Sequence, residues 1–276
     1  MTLRGGRGFN FTVARYYGDG VTVSFDRAAA YYDQTRSLPP ESAVAVTALL
    51  ARELSGRRRV IEIAVGTGRI SLPLDEMGIP VVGVDVSLPM LAVLRSKPGG
   101  KAMPIVQGDI TQLPFADQSF DAAIASHIFH LVPDWRTAAS ELLRTLRPGA
   151  RALLTSGGDQ ETGWREVVRA RFRVACGDSS QWPVQDQRRA DAESWLTERA
   201  TSRRDLDPIV VRRTSSITEY IDRLSSGQWS WTWNMTAEDR QAAAEVTRRW
   251  AAEEIGRLDE QRDSDGDVRW TVLDFA

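Results

Sequence analysis

A doubly wound α/β fold is predicted by three features of this 276-residue chain. Between Arg59 and Thr155, short apolar runs alternate with stretches of helical periodicity, the pattern of strands buried on both faces and joined by crossover helices. The first run leads directly into Gly66-Thr67-Gly68, a junction that lets backbone approach a ligand at the start of a helix. The second run ends on Asp85, and the third is followed by Gly108-Asp109.

Residues 1–24 are Gly- and Arg-rich with scattered aromatics, and read as a loose arm. Residues 25–54 are helical in pattern, interrupted at Pro39-Pro40, where Glu41 can start a new helix in its first turn. Strands are expected over 60–65, 81–85, 104–107, 120–125 and 150–155, and crossover helices over 88–96 and 135–146. From residue 157 the pattern turns helical and aromatic, and eight of the nine tryptophans lie at or after Trp164. Helices are expected over 164–175 and 186–200, a sixth strand over 208–214, helices over 217–224 and 237–258, and a closing strand over 268–275 after an Asp-Ser-Asp-Gly turn. This divides the chain into an arm (1–24), a ligand-binding core with an N-terminal helix (25–156), a helical lid or substrate insertion (157–207) and a C-terminal part completing the sheet (208–276).

Composition narrows the function. With 42% hydrophobic and 26% charged residues the chain is an ordinary globular one, which excludes a fibre and an intrinsically disordered chain. Thirty-five basic residues against thirty-seven acidic ones leave no electrostatic footprint for duplex nucleic acid or an anionic membrane. No apolar run approaches the roughly eighteen residues of a membrane span. Arg4 and Arg7 are followed by Gly and Asn instead of an apolar segment, so a signal peptide is not expected and a cytoplasmic protein is. The single cysteine, Cys176, rules out an intrachain disulfide and a thiolate metal cage, and no metal site is expected. The only lysines are Lys97, before a proline, and Lys101, after Pro98-Gly99-Gly100 and without the hydroxyl residue that a phosphate loop needs next. Schiff-base and Tyr-x-x-x-Lys chemistry are disfavoured on the same count.

The chemistry concentrates at the ends of the first four strands. Asp85 stands nineteen residues after Gly66, where a carboxylate accepts bonds from both hydroxyls of a ribose lying across the loop. Asp109 stands twenty-four residues further on, placed to accept the exocyclic amine of an adenine while the following amide donates to the ring. His127 follows the fourth strand and is the only histidine positioned as a base; His130 reads as packing or helix-start bonding.

These segments resemble the class I S-adenosylmethionine-dependent methyltransferases of the ubiquinone and menaquinone type. The resemblance rests on Glu62-Ile63-Ala64-Val65-Gly66-Thr67-Gly68, Asp85, Gly108-Asp109, the run Leu113-Pro114-Phe115-Ala116-Asp117-Gln118-Ser119-Phe120-Asp121, and Leu142 to Gly149. Ala64 departs from it, standing where many members carry glycine. The resemblance implies a Rossmann-like seven-stranded sheet with a helical insertion between strands five and six, and S-adenosylmethionine as cofactor. It also implies that Gly66 and Gly68 pass under the methionine part, that Ala64 lies in the same loop, and that Glu62 holds the loop's shape. Asp85 would bind the ribose, Val86 and Met90 would pack on adenine, and Asp109 with the Ile110 amide would read the adenine edge. Ser126 would lie near the amino-acid moiety, and Tyr32 and Arg36, on a helix closing over the cofactor, would contact its carboxylate.

Methyl transfer to a small-molecule acceptor is therefore the leading expectation, achieved by positioning and desolvation with at most one base, His127. A nicotinamide-dependent oxidoreductase is the alternative enzyme, disfavoured because Ser71 stands at the third glycine of its fingerprint. A non-enzymatic cofactor-binding or partner module is the alternative outside enzymes, as is a relative that binds the sulfonium without transferring methyl. Trp229, Trp231 and Trp233 alternate, so an extended segment there would set three indoles on one face, to anchor the following helix or to wall an acceptor pocket.

Overall fold

The computed structural model describes residues 25–155, 160–177 and 182–276; the expected N-terminal arm and residue 157, where the insertion was expected to start, lie outside them. A 3-10 turn (Asp26–Ala28), α1 (Tyr32–Arg36) and α2 (Pro40–Glu53) precede β1 (Val60–Ile63). Then follow α3 (Ser71–Glu76), β2 (Val81–Asp85), α4 (Leu88–Ser96), β3 (Ile105–Gln107), β4 (Phe120–Ala125), α5 (Trp135–Thr145) and β5 (Leu146–Thr155). Beyond lie β6 (Gln160–Glu161), α6 (Trp164–Cys176), α7 (Trp182–Thr197), β7 (Ser202–Asp205), β8 (Ile209–Ser215), α8 (Ile217–Ser225), α9 (Ala237–Glu254), β9 (Arg262–Val268) and β10 (Trp270–Asp274).

Seven strands form one sheet in the order β3-β2-β1-β4-β5-β10-β7, the α/β fold expected. The first five run parallel, and β10 inserts antiparallel between β5 and β7. Both faces are covered. Ile61, Ile63, Val84 and Phe120 pack with α5 and with Ala192 and Leu196 of α7. Val60, Val81, Ile124 and Val272 pack with Leu50 of α2, Leu74 of α3 and Leu94 of α4. Burial on both sides is why these strands read as continuous apolar runs.

A second core lies outside the sheet. Val168 and Phe172 of α6, Tyr220 and Leu224 of α8, Ala244 and Ala251 of α9, and Trp231 are buried together. A three-stranded sheet, β6-β9-β8, adjoins this helical cap.

Three expectations are corrected here. Residues 209–215 are a strand, but β8 pairs with β9 in the small sheet and not in the main one. The main sheet's remaining edge is β7, a fully exposed Ser-Arg-Arg-Asp segment without an apolar signal, whose charge suits an edge. The Asp-Ser-Asp-Gly sequence is not a turn but the middle of β9, held extended by β8 on one side and β6 on the other. Residues 230–232 form a 3-10 turn instead of an extended segment, so the three indoles diverge: Trp231 enters the cap core while Trp229 and Trp233 face the N-terminal segment. Among the described residues, no helix is long and apolar enough to cross a membrane.

Candidate active site

Parallel pairing brings the carboxyl ends of β1 to β5 to one edge. Ile63 is level with Val84 and Ala125, Asp85 with Gln107, and Ala125 with Leu154. The loops that leave there carry most of the residues singled out from the sequence.

The β1–α3 loop is built from left-handed backbone. Ala64, Gly66 and Gly68 have φ of 54°, 56° and 78°. A Cβ on Gly66 would stand 3.2 Å from Met90 Cε, and one on Gly68 within about 3 Å of Leu72 and Leu94. The loop thus packs closely on α3 and α4, and a side chain at Gly68 would clash with Leu72 and Leu94. Asp85, buried at the end of β2, accepts the Gly66 N–H at 2.7 Å and the Ser87 N–H at 2.8 Å, locking the loop to the second strand. Burial pushes its carboxyl up, against the pull of those two amides. Each oxygen of a carboxylate has two lone pairs, so acceptor capacity is left for sugar hydroxyls. Glu62 lies wholly beneath the loop and receives the Ser71 hydroxyl at the first residue of α3. Burial, opposed by Ser71 and Arg69, pushes it up to about 8, so it is largely protonated at neutral pH.

Val86 is 56% exposed on the same edge, while Met90, beside it on α4, is buried. An exposed valine next to the glycine loop offers an apolar face for a flat ring. Asp109 accepts the Thr111 N–H at 2.9 Å, and the Ile110 side chain turns into the core. Past β4, the Ser126 hydroxyl is buried with no hydrogen-bond partner. An orphaned hydroxyl, a left-handed glycine loop and a buried acid at neighbouring strand ends suit an adenosine-bearing cofactor with an amino-acid tail, so the residues present fit the group.

The N-terminal segment straps this loop, and sequence reasoning named only part of it. Tyr32 packs edge-on to Phe25, which itself lies against Trp233. The Arg36 guanidinium stacks 4.3 Å over Trp229 and donates to the Gln228 carbonyl, while the Arg36 carbonyl accepts from Arg69 at 2.8 Å. Asp33 was missed: it accepts the Thr67 hydroxyl at 2.6 Å and pairs with Lys97 Nζ at 2.6 Å, and that ammonium also donates to the Thr67 carbonyl at 2.7 Å. Asp26 receives the Ser87 hydroxyl. Partners 30 to 192 residues apart leave no local pattern; the scarcity of lysine was the one available signal.

His127 has a left-handed backbone, φ 51°, and donates its N–H to the Thr155 hydroxyl at 2.8 Å. It lines a pocket at the ends of β4 and β5 together with Ala125, Leu154, His130 and, from α7, Arg189 and Glu193. His130 is pushed down to about 3 by burial and then by the charges of His127, Arg189 and Arg36, so it is neutral at physiological pH. Cys176 is buried in the cap and its thiol is pushed up to about 11 by that burial, which makes it inert.

Comparison with known proteins agrees with this geometry. Residues 61–154 match the family described as a methyltransferase domain. The demethylmenaquinone methyltransferase of Renibacterium salmoninarum is 35% identical over 140 residues, 49% of this chain and 58% of that protein. An uncharacterized methyltransferase of Mycobacterium tuberculosis is 36% identical over 149 residues, 52% of this chain and 56% of that protein. The chain thus spans a little over half the length of the curated relatives it matches. Among solved structures, the YcgJ protein of Bacillus subtilis superposes with a TM-score of 0.55 at 18% identity, over 85% of this chain and 98% of its own. The [4+2]-cyclase SpnF superposes with a TM-score of 0.53 at 16% identity, over 91% of this chain and 94% of its own. At these identities the superpositions speak for the fold alone.

Proposed function

We propose that this protein, whose residues 61–154 match the methyltransferase-domain family, transfers the methyl group of S-adenosylmethionine to a small-molecule acceptor held between the sheet's carboxyl edge and α7. The observation that carries the reading is the loop of Ala64, Gly66 and Gly68 tied by its own amide to Asp85, because a left-handed glycine loop is thereby held beside a buried acceptor.

Bound at that loop, S-adenosylmethionine supplies an electrophilic methyl group on a sulfonium sulfur. Gly66 and Gly68 would let the loop pass under its methionine part, with Ala64 shaping the turn and Glu62 pinning it through Ser71. Asp85 accepts from the ribose hydroxyls, Val86 and Met90 flank the adenine, and Asp109 with the Ile110 amide reads the ring edge. Ser126 Oγ bonds the amino-acid end, and the strap residues Tyr32 and Arg36 close over it. His127 is the histidine left to act as a base, since burial pushes His130 down to about 3 and keeps it neutral. Where the acceptor arrives deprotonated, in-line orientation and exclusion of water suffice. A cytoplasmic setting, in which a lone thiol stays reduced, belongs to the same reading.

Calorimetry tests it. S-adenosylhomocysteine should bind and NADH should not, and Asp85→Ala should weaken the former at least about tenfold, the loss of roughly 1.5–3 kcal/mol expected for charged hydrogen bonds. Binding of NADH in place of S-adenosylhomocysteine, or unchanged affinity in a folded Asp85→Ala protein, overturns the reading.

A further inference from the structure

We propose that Trp229 is a positioning residue for cofactor binding: its indole face, presented by the cap, holds the Arg36 guanidinium for the carboxylate at the cofactor's amino-acid end. The proposal rests on the reading that S-adenosylmethionine occupies the glycine loop, and adds what the cap contributes there.

Arg36 stands where three parts of the molecule meet. Its helix, α1, is tied to the glycine loop by Asp33, which accepts the Thr67 hydroxyl at 2.6 Å. The Arg36 carbonyl accepts from Arg69, just past Gly68, at 2.8 Å. The guanidinium reaches across to the cap, where Cζ lies 4.3 Å over the Trp229 ring and Nη2 donates to the Gln228 carbonyl at 3.1 Å. Its charge is also felt by His130, which lines the pocket beyond β4.

The platform under that guanidinium is firmly built. The Trp229 carbonyl accepts both the N–H and the hydroxyl of Thr232, at 2.9 and 2.8 Å. Trp233 Nε1 donates to the Gly227 carbonyl at 2.8 Å, and Arg240 of α9 donates to the carbonyls of Ser225 and Met235 at 3.1 and 2.7 Å. Trp233 thus uses its indole N–H to close the loop. Trp229 does not: its Nε1 is buried with no hydrogen-bond partner among the described residues. Buried indoles ordinarily satisfy that N–H, so what Trp229 contributes here is its ring. The π face attracts the cation, and a long side chain held there loses its rotamer freedom on folding and not on binding. A guanidinium is moreover a planar fork that matches a carboxylate. The cap therefore acts on the cofactor through Arg36.

Two ligands separate the amino-acid end from the rest. S-adenosylhomocysteine and 5′-methylthioadenosine both carry the adenosine and a thioether, and only the first has the amino-acid tail. Both are titrated calorimetrically into the whole protein. Trp229→Met, which fills space without a ring, should weaken S-adenosylhomocysteine about three- to tenfold and leave 5′-methylthioadenosine within about twofold. Trp229→Phe keeps a ring and should stay closer to the wild type. Arg36→Met should weaken S-adenosylhomocysteine selectively too, and adding Trp229→Met to it should change nothing further, because the pair acts as one unit. Loss of both ligands together in Trp229→Met, including loss through failure to fold, assigns Trp229 to the fold in general and overturns the proposal. Unchanged S-adenosylhomocysteine affinity in Trp229→Met, an equal loss in Trp229→Phe, or additive losses in the double variant overturn it as well. All of these leave the methyl-transfer reading standing as long as the wild-type protein binds S-adenosylhomocysteine; a wild-type protein that does not bind it overturns both.

Discussion

Ala64 holds a φ of 54°, a left-handed backbone that costs an L-residue with a side chain about 1–2 kcal/mol. Glycine relieves that strain but adds freedom to the unfolded chain worth about 0.4–1 kcal/mol. Ala64→Gly should therefore stabilise the protein by a net of about 0.5–1 kcal/mol, seen as a rise of roughly 1–3 °C in the unfolding midpoint. Two residues upstream, Glu62 carries a proton up to about pH 8 in the folded protein, against 4.5 for the ordinary carboxyl. Between those values the unfolded chain binds fewer protons than the native one, so this group's contribution to stability falls as pH rises. Glu62→Gln, which keeps an acceptor for Ser71 without the proton, should flatten the pH dependence of urea unfolding across that window. Glu62→Ala should instead cost about 1–3 kcal/mol at neutral pH, because the buried Ser71 hydroxyl loses its partner. An unchanged pH slope in Glu62→Gln would show that the carboxyl is ionised in the native state.

At the scale of elements, α1 is five residues long and buries no residue fully, so it has little stability of its own. It is held by its ties to the loop and the cap, and Lys97 makes two of them, to Asp33 and to the Thr67 carbonyl. Those groups are about a third exposed, where a pair contributes roughly 0.2–1 kcal/mol. Lys97→Met should therefore loosen the strap without unfolding the core, raising the dissociation rate of S-adenosylhomocysteine about two- to fivefold in stopped-flow displacement. An unaltered rate would mean that the strap does not limit release. The contrast between α4 and β9 shows what local sequence carries. In α4 the Ser87 cap, the proline in the first turn and the apolar face agree, and the expected and observed helix coincide over Leu88–Ser96. In β9 the local preference is for a turn, yet two neighbouring strands satisfy its backbone and override it.

For the whole molecule, the joint between the cap and the small sheet is ionic. Glu161 of β6 receives the Tyr220 hydroxyl and pairs with Arg169 at 3.0 Å and, more loosely, with Arg165 at 3.7 Å; Arg165 also donates to Ser215 of β8 at 2.7 Å. Glu161 and Arg165 are almost wholly buried, so removing the acid strands uncompensated positive charge. Glu161→Ala should cost about 3–5 kcal/mol in urea unfolding. A loss below 1 kcal/mol would show that water or a counter-ion already neutralises the arginines.

What the sequence by itself determined is the half of this protein that carries the glycine loop and the strand-end acids. Apolar runs, two glycines and the acids at successive strand ends are short-range patterns, because each strand, loop and helix start is a contiguous segment with its own steric and burial rules. From them the parallel strands β1 to β5, the glycine loop and the positions of Glu62, Asp85 and Asp109 were legible. Only the tertiary structure decided the rest. The charged edge strand β7 has no apolar signature, and β8 has one that does not say which sheet it joins. Asp33 meets Lys97, Arg36 meets Trp229, and Arg189 meets the pocket of His127 across separations of 60 to nearly 200 residues. Such pairings are set by how finished elements pack, and the energy that selects them, burial of area on both partners, is not written in either segment alone.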